Sequence, residues 1–303
     1  MDSYNFTNCT HSPVKVSLSK EKIILFTLNV LTAVFHVGGI IVLVRLRSHL
    51  NQILIIMNLA IMELIACLKN PILHPNVTKV LVPYMTLAVF SDLAIRLIML
   101  VLLADRFLEI FLNIRYPVLI TKGRIFKVIC IVWIVSGVYG LVVTMFTVYG
   151  DHEASVKLRM YHSFYVHNYI NVIVDAIFTI SAIITYYYFY VKIRDISMKD
   201  NSQRCSGHAQ RERRDRQFNY KIPFMTVGTF LAFNVSADIF LQIITYKRKT
   251  SNRENSTSYQ LLDTIAFSLQ TCGYLSDAIV YIAMQKSVRK LFQRKITPYE
   301  NNA

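Results

Sequence analysis

The sequence predicts an all-α membrane protein, a seven-transmembrane helix bundle with a short amphipathic eighth helix. The 303 residues are 54% hydrophobic and 17% charged, and 9 Gly and 7 Pro are too few for a fibrous or disordered chain. Seven segments approach the ~20 apolar residues that a helix needs to cross a hydrocarbon core. The predicted organisation is an N-terminal segment at 1–22, the helix bundle at 23–284 and a tail at 285–303.

The seven spans leave no room for a soluble domain before or between them. The fifth, sixth and seventh contain acids, so their assignment rests on length and flanking sequence as well as hydropathy. No internal repeat and no inverted pair of broken helices of the transporter kind is visible. The predicted spans are Ile23–Val44, Ile53–Leu73, Val80–Phe111, Ile125–Val148, Tyr169–Ile193, Phe218–Tyr246 and Leu261–Met284.

Charge and glycosylation patterns predict the orientation in the membrane. With the N-terminus outside, most of the 33 Lys and Arg fall in cytoplasmic segments, in keeping with the positive-inside rule. Four Asn-x-Ser/Thr sequons then fall outside, at Asn5, Asn8, Asn76 and Asn255, whereas Asn234 is mid-helix. We therefore expect a multi-pass glycoprotein of the plasma membrane with an extracellular N-terminus.

The formal charge of +15 reflects this topology rather than a nucleic-acid partner. The basic segment Lys192–Lys221 joins two membrane helices and is interpreted as their solvated cytoplasmic extensions. After the last span, Lys286–Lys295 places Val288, Leu291 and Phe292 on one face. This pattern predicts a short surface helix whose basic side binds anionic membrane lipid.

The sequence offers neither catalytic residues nor a metal site. The five cysteines show no disulfide framework and no CxxC spacing, and the eight histidines include no HExxH motif. No nucleophile–base motif is present. We therefore expect that the protein is not an enzyme.

Ionisable residues inside the spans are costly in hydrocarbon and are expected to face the bundle interior. Asp92 and Arg96 are four residues apart, so a structural pairing along one helix face is one interpretation. The other is a polar ligand pocket, open to the outside, with Asp92, Arg96, Asp175 and Asp238. The full set of intramembrane charges considered is Glu63, Lys69, Asp92, Arg96, Asp175, Asp238 and Asp277.

Short motifs occur along the helices in a specific order. The third helix ends in Asp-Arg-Phe at 105–107 and continues into Ile-Arg-Tyr-Pro at 114–117, and the second carries Asn-Leu-Ala-Ile-Met-Glu at 58–63. Further landmarks are Trp133, Tyr190, Phe230 and Asp-Ala-Ile-Val-Tyr at 277–281. Together they resemble the rhodopsin-like (class A) G-protein-coupled receptors, whose motifs are Asp-Arg-Tyr, Asn-Leu-Ala-x-x-Asp and Asn-Pro-x-x-Tyr.

The chain departs from that family in several places. Asn234 and Ser236 replace the sixth-helix tryptophan and proline, so the helix kink must come from elsewhere, with Pro223 and Gly228 as candidates. Arg216 falls near where many members place an acid that pairs with the third-helix arginine. The chain lacks the family's outer disulfide and fifth-helix proline, and it has Asp277 in the seventh-helix motif. In these three features it resembles the melanocortin, lysophospholipid and cannabinoid receptor branch.

The resemblance implies a receptor that converts binding of an extracellular ligand (a peptide, a lipid or a small molecule) into activation of a heterotrimeric G protein. Arg106 would be the switch. Asp105 would neutralise it at rest, and on activation it would reach towards Tyr190 and Tyr281, whose hydroxyls accept from a guanidinium.

The resemblance also pairs Glu63 with Asp277 beneath the pocket, in a region where the family binds sodium. Ile95 replaces a commonly polar neighbour there, and a proton shared by the two carboxylates is the alternative. No other cofactor is expected. The seventh span has no lysine between Tyr259 and Gln285 for a retinal Schiff base.

The rival function is an ion- or proton-coupled transporter or channel that uses the intramembrane carboxylates. Helix count and the lack of repeats favour the receptor. The sequence does not select one chemical class of ligand. The pocket acids favour a cationic ligand, whereas the basic outer loop Lys247–Arg253 favours an anionic group.

Overall fold

The computed structural model describes residues 20–45, 51–68, 78–112, 115–149, 156–200, 225–251 and 257–283. These residues form seven long helices and a short turn, Tyr116–Leu119, between the third and fourth helices. The helices are α1 (Lys20–Arg45), α2 (Asn51–Leu68), α3 (Thr78–Leu112), α4 (Lys122–Tyr149), α5 (Val156–Asp200), α6 (225–251) and α7 (Thr257–Ala283).

Each predicted span overlaps one of these helices, which confirms the all-α class. The chain is a helical, membrane-embedded protein, because five helices are long and apolar enough to cross a bilayer. A shorter apolar stretch, Ile53–Cys67, lies on α2. The predicted surface helix at Lys286–Lys295 lies outside the described residues. The five long apolar stretches are Ile23–Ile41, Met85–Leu112, Lys122–Thr147, Val166–Lys192 and Met225–Lys247.

The helices form a closed ring around α3. Neighbouring contacts run α1–α2–α4–α5–α6–α7 and return from α7 to α1. Within this ring, α3 packs against α2, α4 and α5. The apolar window of α3 is 61% buried, against 28% for that of α4, so α3 is the inner helix and α4 faces outward. Polar residues on α3 are therefore held where several helices converge.

The packing of α3 follows from residue spacing and size. Ile95, Ile98, Met99 and Leu102 recur every three or four residues and are fully buried, as an apolar helix face predicts. Close approach to α4 depends on Gly140, since a Cβ there would lie 2.9 Å from a backbone oxygen of α3. In a membrane, where apolar residues face lipid as readily as protein, such small residues allow helices to pack closely.

Two helices differ from the sequence expectation. The predicted fifth span began at Tyr169, but α5 begins at Val156 and continues to Asp200. Its 45 residues extend about 67 Å at ~1.5 Å each, roughly twice a ~30 Å hydrocarbon core, so the helix projects beyond the apolar layer. Its extension past Lys192 agrees with the predicted solvated extension of the fifth helix.

The irregularity in α6 is a π-turn at Phe230–Val235. The sequence suggested Pro223 or Gly228 as the source of a kink; Pro223 lies outside the described residues, and Gly228 precedes the π-turn by two positions. A π-turn inserts an extra residue into the helical ladder and re-aims the residues that follow. Its neighbour on α7 is Gly273, where a Cβ would lie 2.9 Å from the amide nitrogen of Asn234.

Candidate functional site

Polar side chains, most of them buried, gather in three clusters, two that include α3 and one among α1, α2, α6 and α7. The Arg96 cluster contains Asp92, Arg96, Asp175 and Asp238. The Glu63 cluster contains His36, Glu63, Thr229 and Asp277. The Arg106 cluster contains Asp105, Arg106, Glu109 and Tyr116. The two arginines are about 15 Å apart along α3 at ~1.5 Å per residue.

The Arg96 cluster joins three helices through one guanidinium. Arg96 on α3 is 2% exposed. Its Nε donates to Oδ1 of Asp175 on α5 at 3.2 Å, and its Nη2 donates to Oδ2 of Asp238 on α6. Its Nη1 donates to the backbone oxygen of Asp92 at 2.7 Å. The four predicted pocket residues therefore lie together, with Arg96 bonded to the Asp92 backbone and to carboxylates from other helices.

A polar extension of this cluster reaches α4. Nε2 of His167 lies 3.6 Å from Oδ2 of Asp92 and 3.2 Å from the Asn171 amide, and Nδ1 lies 3.4 Å from the Tyr139 hydroxyl. His167 and Asn171 are each 2% exposed. Neither was predicted from the sequence, although the i, i+4, i+8 spacing of His167, Asn171 and Asp175 places them on one face of α5.

The chemistry of the Arg96 cluster follows from its acceptors. Oδ2 of Asp175 and Oδ1 of Asn171 are buried and receive no hydrogen bond from the described part of the chain. Buried acceptors of this kind normally bind a donor, either protein, water or ligand. The cluster can therefore bind a group that carries N–H or O–H donors, and it also ties α6 to α3 through Arg96.

The Glu63 cluster connects α1, α2, α7 and α6. His36, Glu63 and Asp277 are each 0% exposed. His36 Nε2 lies 3.6 Å from Oε2 of Glu63, the Glu63 and Asp277 carboxyls are neighbours, and the Thr229 hydroxyl donates to Oδ1 of Asp277. His36 was missed, although an ionisable residue inside an apolar span is itself a signal.

Tyr274 is a further buried side chain with a hydroxyl. It is 3% exposed on α7, one turn before Asp277. Its ring belongs to the buried apolar core of the bundle.

The Arg106 cluster is built almost entirely on α3. Arg106 is 5% exposed, donates through Nη2 to Oδ2 of Asp105, and donates through Nη1 to Oε2 of Glu109. Tyr116, in the short turn after α3, donates its hydroxyl to Oδ1 of Asp105. Asp105 was predicted as a partner of Arg106, whereas Glu109 was not, although its i+3 spacing from Arg106 indicates such a pair.

Of the two predicted tyrosine partners of Arg106, Tyr190 is not bonded to it in the described structure. Tyr190 is 64% exposed on α5, and Tyr281 is on α7, with a side chain outside the described part of the structure. The α5 tyrosine that contacts the end of α3 is Tyr188, whose ring lies 5.7 Å from that of Phe107 and 6.3 Å from that of Phe111.

Two further aromatic landmarks link helices. The lone tryptophan, Trp133 on α4, packs edge-on against Phe90 of α3 with ring centres 6.0 Å apart. Phe230, the first residue of the π-turn, packs edge-on against Phe178 of α5 at 4.9 Å.

Several predicted positions lie outside the described residues: Asn5, Asn8, Asn76, Asn255, Lys69 and Arg216.

A metal centre finds no support in the described residues, since they contain no group of three or more His, Cys, Asp and Glu side chains placed to hold an ion.

Comparison with known proteins adds no assignment. No protein-family model matches the chain, and no curated protein matches it.

Proposed function

We propose that the chain is a rhodopsin-like seven-transmembrane receptor that activates a heterotrimeric G protein when an extracellular ligand binds. The observation that carries the proposal is the Arg106 cluster, a buried arginine at the end of the innermost helix. A charge in that position is costly and is retained where it has a function. The two carboxylates bonded to Arg106, those of Asp105 and Glu109, both lie on α3. They therefore do not link α3 to another helix.

The proposed mechanism couples the two arginine clusters through α3 and α6. A ligand at the Arg96 cluster changes the bonds that Arg96 makes to Asp238, just after the π-turn of α6. Loss of that link allows α6 to move relative to α3, and Arg106 leaves its carboxylates for the G protein. A ligand shifts this equilibrium only by its difference in affinity for the two arrangements.

The proposal includes a topology. The N-terminus lies outside the plasma membrane, all seven helices cross it, and the tail at 285–303, with the surface helix expected at Lys286–Lys295, lies on the cytoplasmic side. Glycosidase treatment of the expressed protein tests this directly. We expect the mobility shift to require Asn5, Asn8, Asn76 or Asn255, and a glycan acceptor engineered into 201–224 to stay unmodified.

The function is tested with a promiscuous G-protein reporter in cells exposed to peptide, lipid and small-molecule libraries. We expect a ligand response that Arg106→Ala abolishes while surface expression is kept. Lys127→Ala is the matched control, because it removes an exposed cation from the adjacent end of α4. A ligand response that persists in Arg106→Ala would contradict the role of the arginine.

The transporter alternative is favoured by one observation, the row of buried ionisable groups from His36 to Asp277. Purified protein in sealed vesicles distinguishes the two functions. Ion or proton flux that is lost in Glu63→Gln or Asp92→Asn supports the transporter, whereas vesicles without flux support the receptor.

A further inference from the structure

Two polar side chains continue the Arg96 cluster by one helical turn. Asn171 is four residues before Asp175 on α5. Gln242 is four residues after Asp238 on α6. The two acids bond one guanidinium, that of Arg96, so they lie at the same depth of the bundle. Whether the two amides also share a depth is decided by the relative direction of α5 and α6.

The contact between two aromatic rings shows that α5 and α6 run antiparallel. On α5, Phe178 follows the acid that bonds Arg96, whereas on α6, Phe230 precedes it. These rings pack edge-on with centres 4.9 Å apart, so moving forward along α5 corresponds to moving backward along α6. Four residues before the α5 acid and four after the α6 acid are thus the same displacement, about 6 Å at ~1.5 Å per residue. Asn171 and Gln242 therefore lie at one depth, towards the start of α5 and the end of α6.

Three oxygen atoms at these two depths are buried and receive no hydrogen bond from the described residues: Oδ2 of Asp175, Oδ1 of Asn171 and Oε1 of Gln242. Asp175 and Asn171 are each 2% exposed, and Gln242 is partly buried. The amide nitrogen of Asn171 lies 3.2 Å from Nε2 of His167, so its oxygen is the free end of the amide. Buried acceptors without donors raise the free energy of the arrangement that contains them, and a group that supplies the donors lowers it.

The cations of α3 do not fill this role. Each nitrogen of the Arg96 guanidinium already donates elsewhere, Nε and Nη2 to Asp175 Oδ1 and Asp238, and Nη1 to the Asp92 backbone. Arg106 is about 15 Å away along α3 at ~1.5 Å per residue, and it is bonded to its own carboxylates. Neither buried arginine of α3 therefore supplies the missing donors.

The chemistry of the missing group follows from the free atoms and the charges beside them. All three free atoms are oxygens that accept a hydrogen bond. The Arg96 cluster has three aspartates and one arginine, so an anion beside the free oxygen of Asp175 would be repelled. A guanidinium presents a planar fork of N–H donors, and a primary ammonium presents a compact group of them. Of the two ligand charges that the sequence leaves open, these acceptors favour the positive one.

We propose that the ligand carries a guanidinium or primary ammonium group that binds between α5 and α6, to the free oxygens of Asp175, Asn171 and Gln242. Each of these oxygens is shielded from solvent in the present arrangement, so the group reaches them only when α5 and α6 separate. Binding therefore favours an arrangement with α6 displaced, which gives the ligand the difference in affinity that a population shift requires. This consequence rests on the proposed receptor function, whereas the binding itself needs no G protein.

The test compares small molecules that share a butyl chain and differ in the head group. The probes are n-butylguanidinium, n-butylammonium, n-butyltrimethylammonium, pentanamide and pentanoate. Binding to the purified full chain in nanodiscs of zwitterionic lipid is measured by saturation-transfer NMR, with empty nanodiscs as the background. We expect a cation with N–H donors to bind at millimolar concentration, and the trimethylammonium, amide and carboxylate probes to bind at least about tenfold more weakly. The tighter of the guanidinium and the primary ammonium identifies the head group.

The matched variant is Gln242→Met, which removes one free acceptor and keeps the length of the side chain. Affinity for the tighter cation should fall at least about tenfold, while the unfolding midpoint should not fall, because the amide oxygen has no bond to lose in the described structure. Asp175→Asn keeps an acceptor without its charge, so the preference for the cation over pentanamide should shrink. Ser181→Ala on α5 is the control, since its hydroxyl is bonded to the backbone of its own helix and affinity should not change.

Three results would overturn the proposal. They are no binding of either N–H cation above the empty-nanodisc background, equal or tighter binding of butyltrimethylammonium or pentanoate, and unchanged affinity in Gln242→Met. Gln242→Met carries the test by itself where Asp175→Asn does not fold. A chain that binds the cation with the expected variant pattern but activates no G protein keeps the binding site and contradicts only the receptor function.

Discussion

Replacement of Arg96 by methionine tests whether the bonds from Arg96 to Asp175 and Asp238 form a buried ionic link between helices. The change leaves Asp175 and Asp238 buried, 2% and 6% exposed, without the cation that bonds both. At the observed 3.2 Å between Nε and Oδ1, one such pair attracts by about 5 kcal/mol at an effective dielectric of ~20, before desolvation is counted. Breaking a buried pair from one side costs about 3–5 kcal/mol. The unfolding constant should therefore rise by roughly two to four orders of magnitude, at ~1.4 kcal/mol per tenfold.

The assay is reversible unfolding in mixed micelles, with helix content as the signal. Arg96→Lys retains the charge but not the forked donor geometry, so it should lose less stability than Arg96→Met. Addition of Asp175→Asn to Arg96→Met removes one stranded carboxylate and should recover part of the loss. A loss below about 1 kcal/mol in Arg96→Met would refute the buried ionic link, since an exposed pair contributes no more than that.

Three further changes have defined outcomes. Gly140→Ala places a methyl 2.9 Å from a backbone oxygen of α3 and should cost about 1–3 kcal/mol in unfolding, whereas Gly137→Ala, with no atom within 4 Å, should not destabilise. Phe178→Ala removes a fully buried ring from its edge-on contact with α6 and should cost about 3–5 kcal/mol by the same unfolding assay. Glu109→Gln removes one of the two carboxylates that hold the guanidinium at the end of α3, so basal nucleotide exchange should rise several-fold; unchanged exchange would contradict the restraint.

The sequence predicted the helices better than the partners of their side chains. Helix order and type could be predicted because apolar length alone selects a membrane helix. The gathering of Asp92, Arg96, Asp175 and Asp238 could be anticipated because a charge in hydrocarbon must face the interior. Which acid bonds Arg96 depends on how the helices rotate against one another, and a single-helix spacing rule does not contain that information.

The missed features have related causes. The π-turn at Phe230–Val235 has no local sequence signature, and its contact with Gly273 of α7 involves a different helix. His36 was overlooked because one polar residue hardly changes the hydropathy of an apolar span. The bond from Arg106 to Glu109 was not predicted because the family resemblance implies Asp105 as the resting partner of Arg106.

The proposed function depends on activation of a G protein through Arg106. The direct measurement is nucleotide exchange by purified heterotrimers of each G-protein class, added to the reconstituted full chain with its screened ligand. We expect the wild-type chain to accelerate exchange on at least one class, and Arg106→Ala, folded and inserted to the same extent, to cause no acceleration. Equal exchange by wild type and Arg106→Ala, or no acceleration with any class, would contradict it.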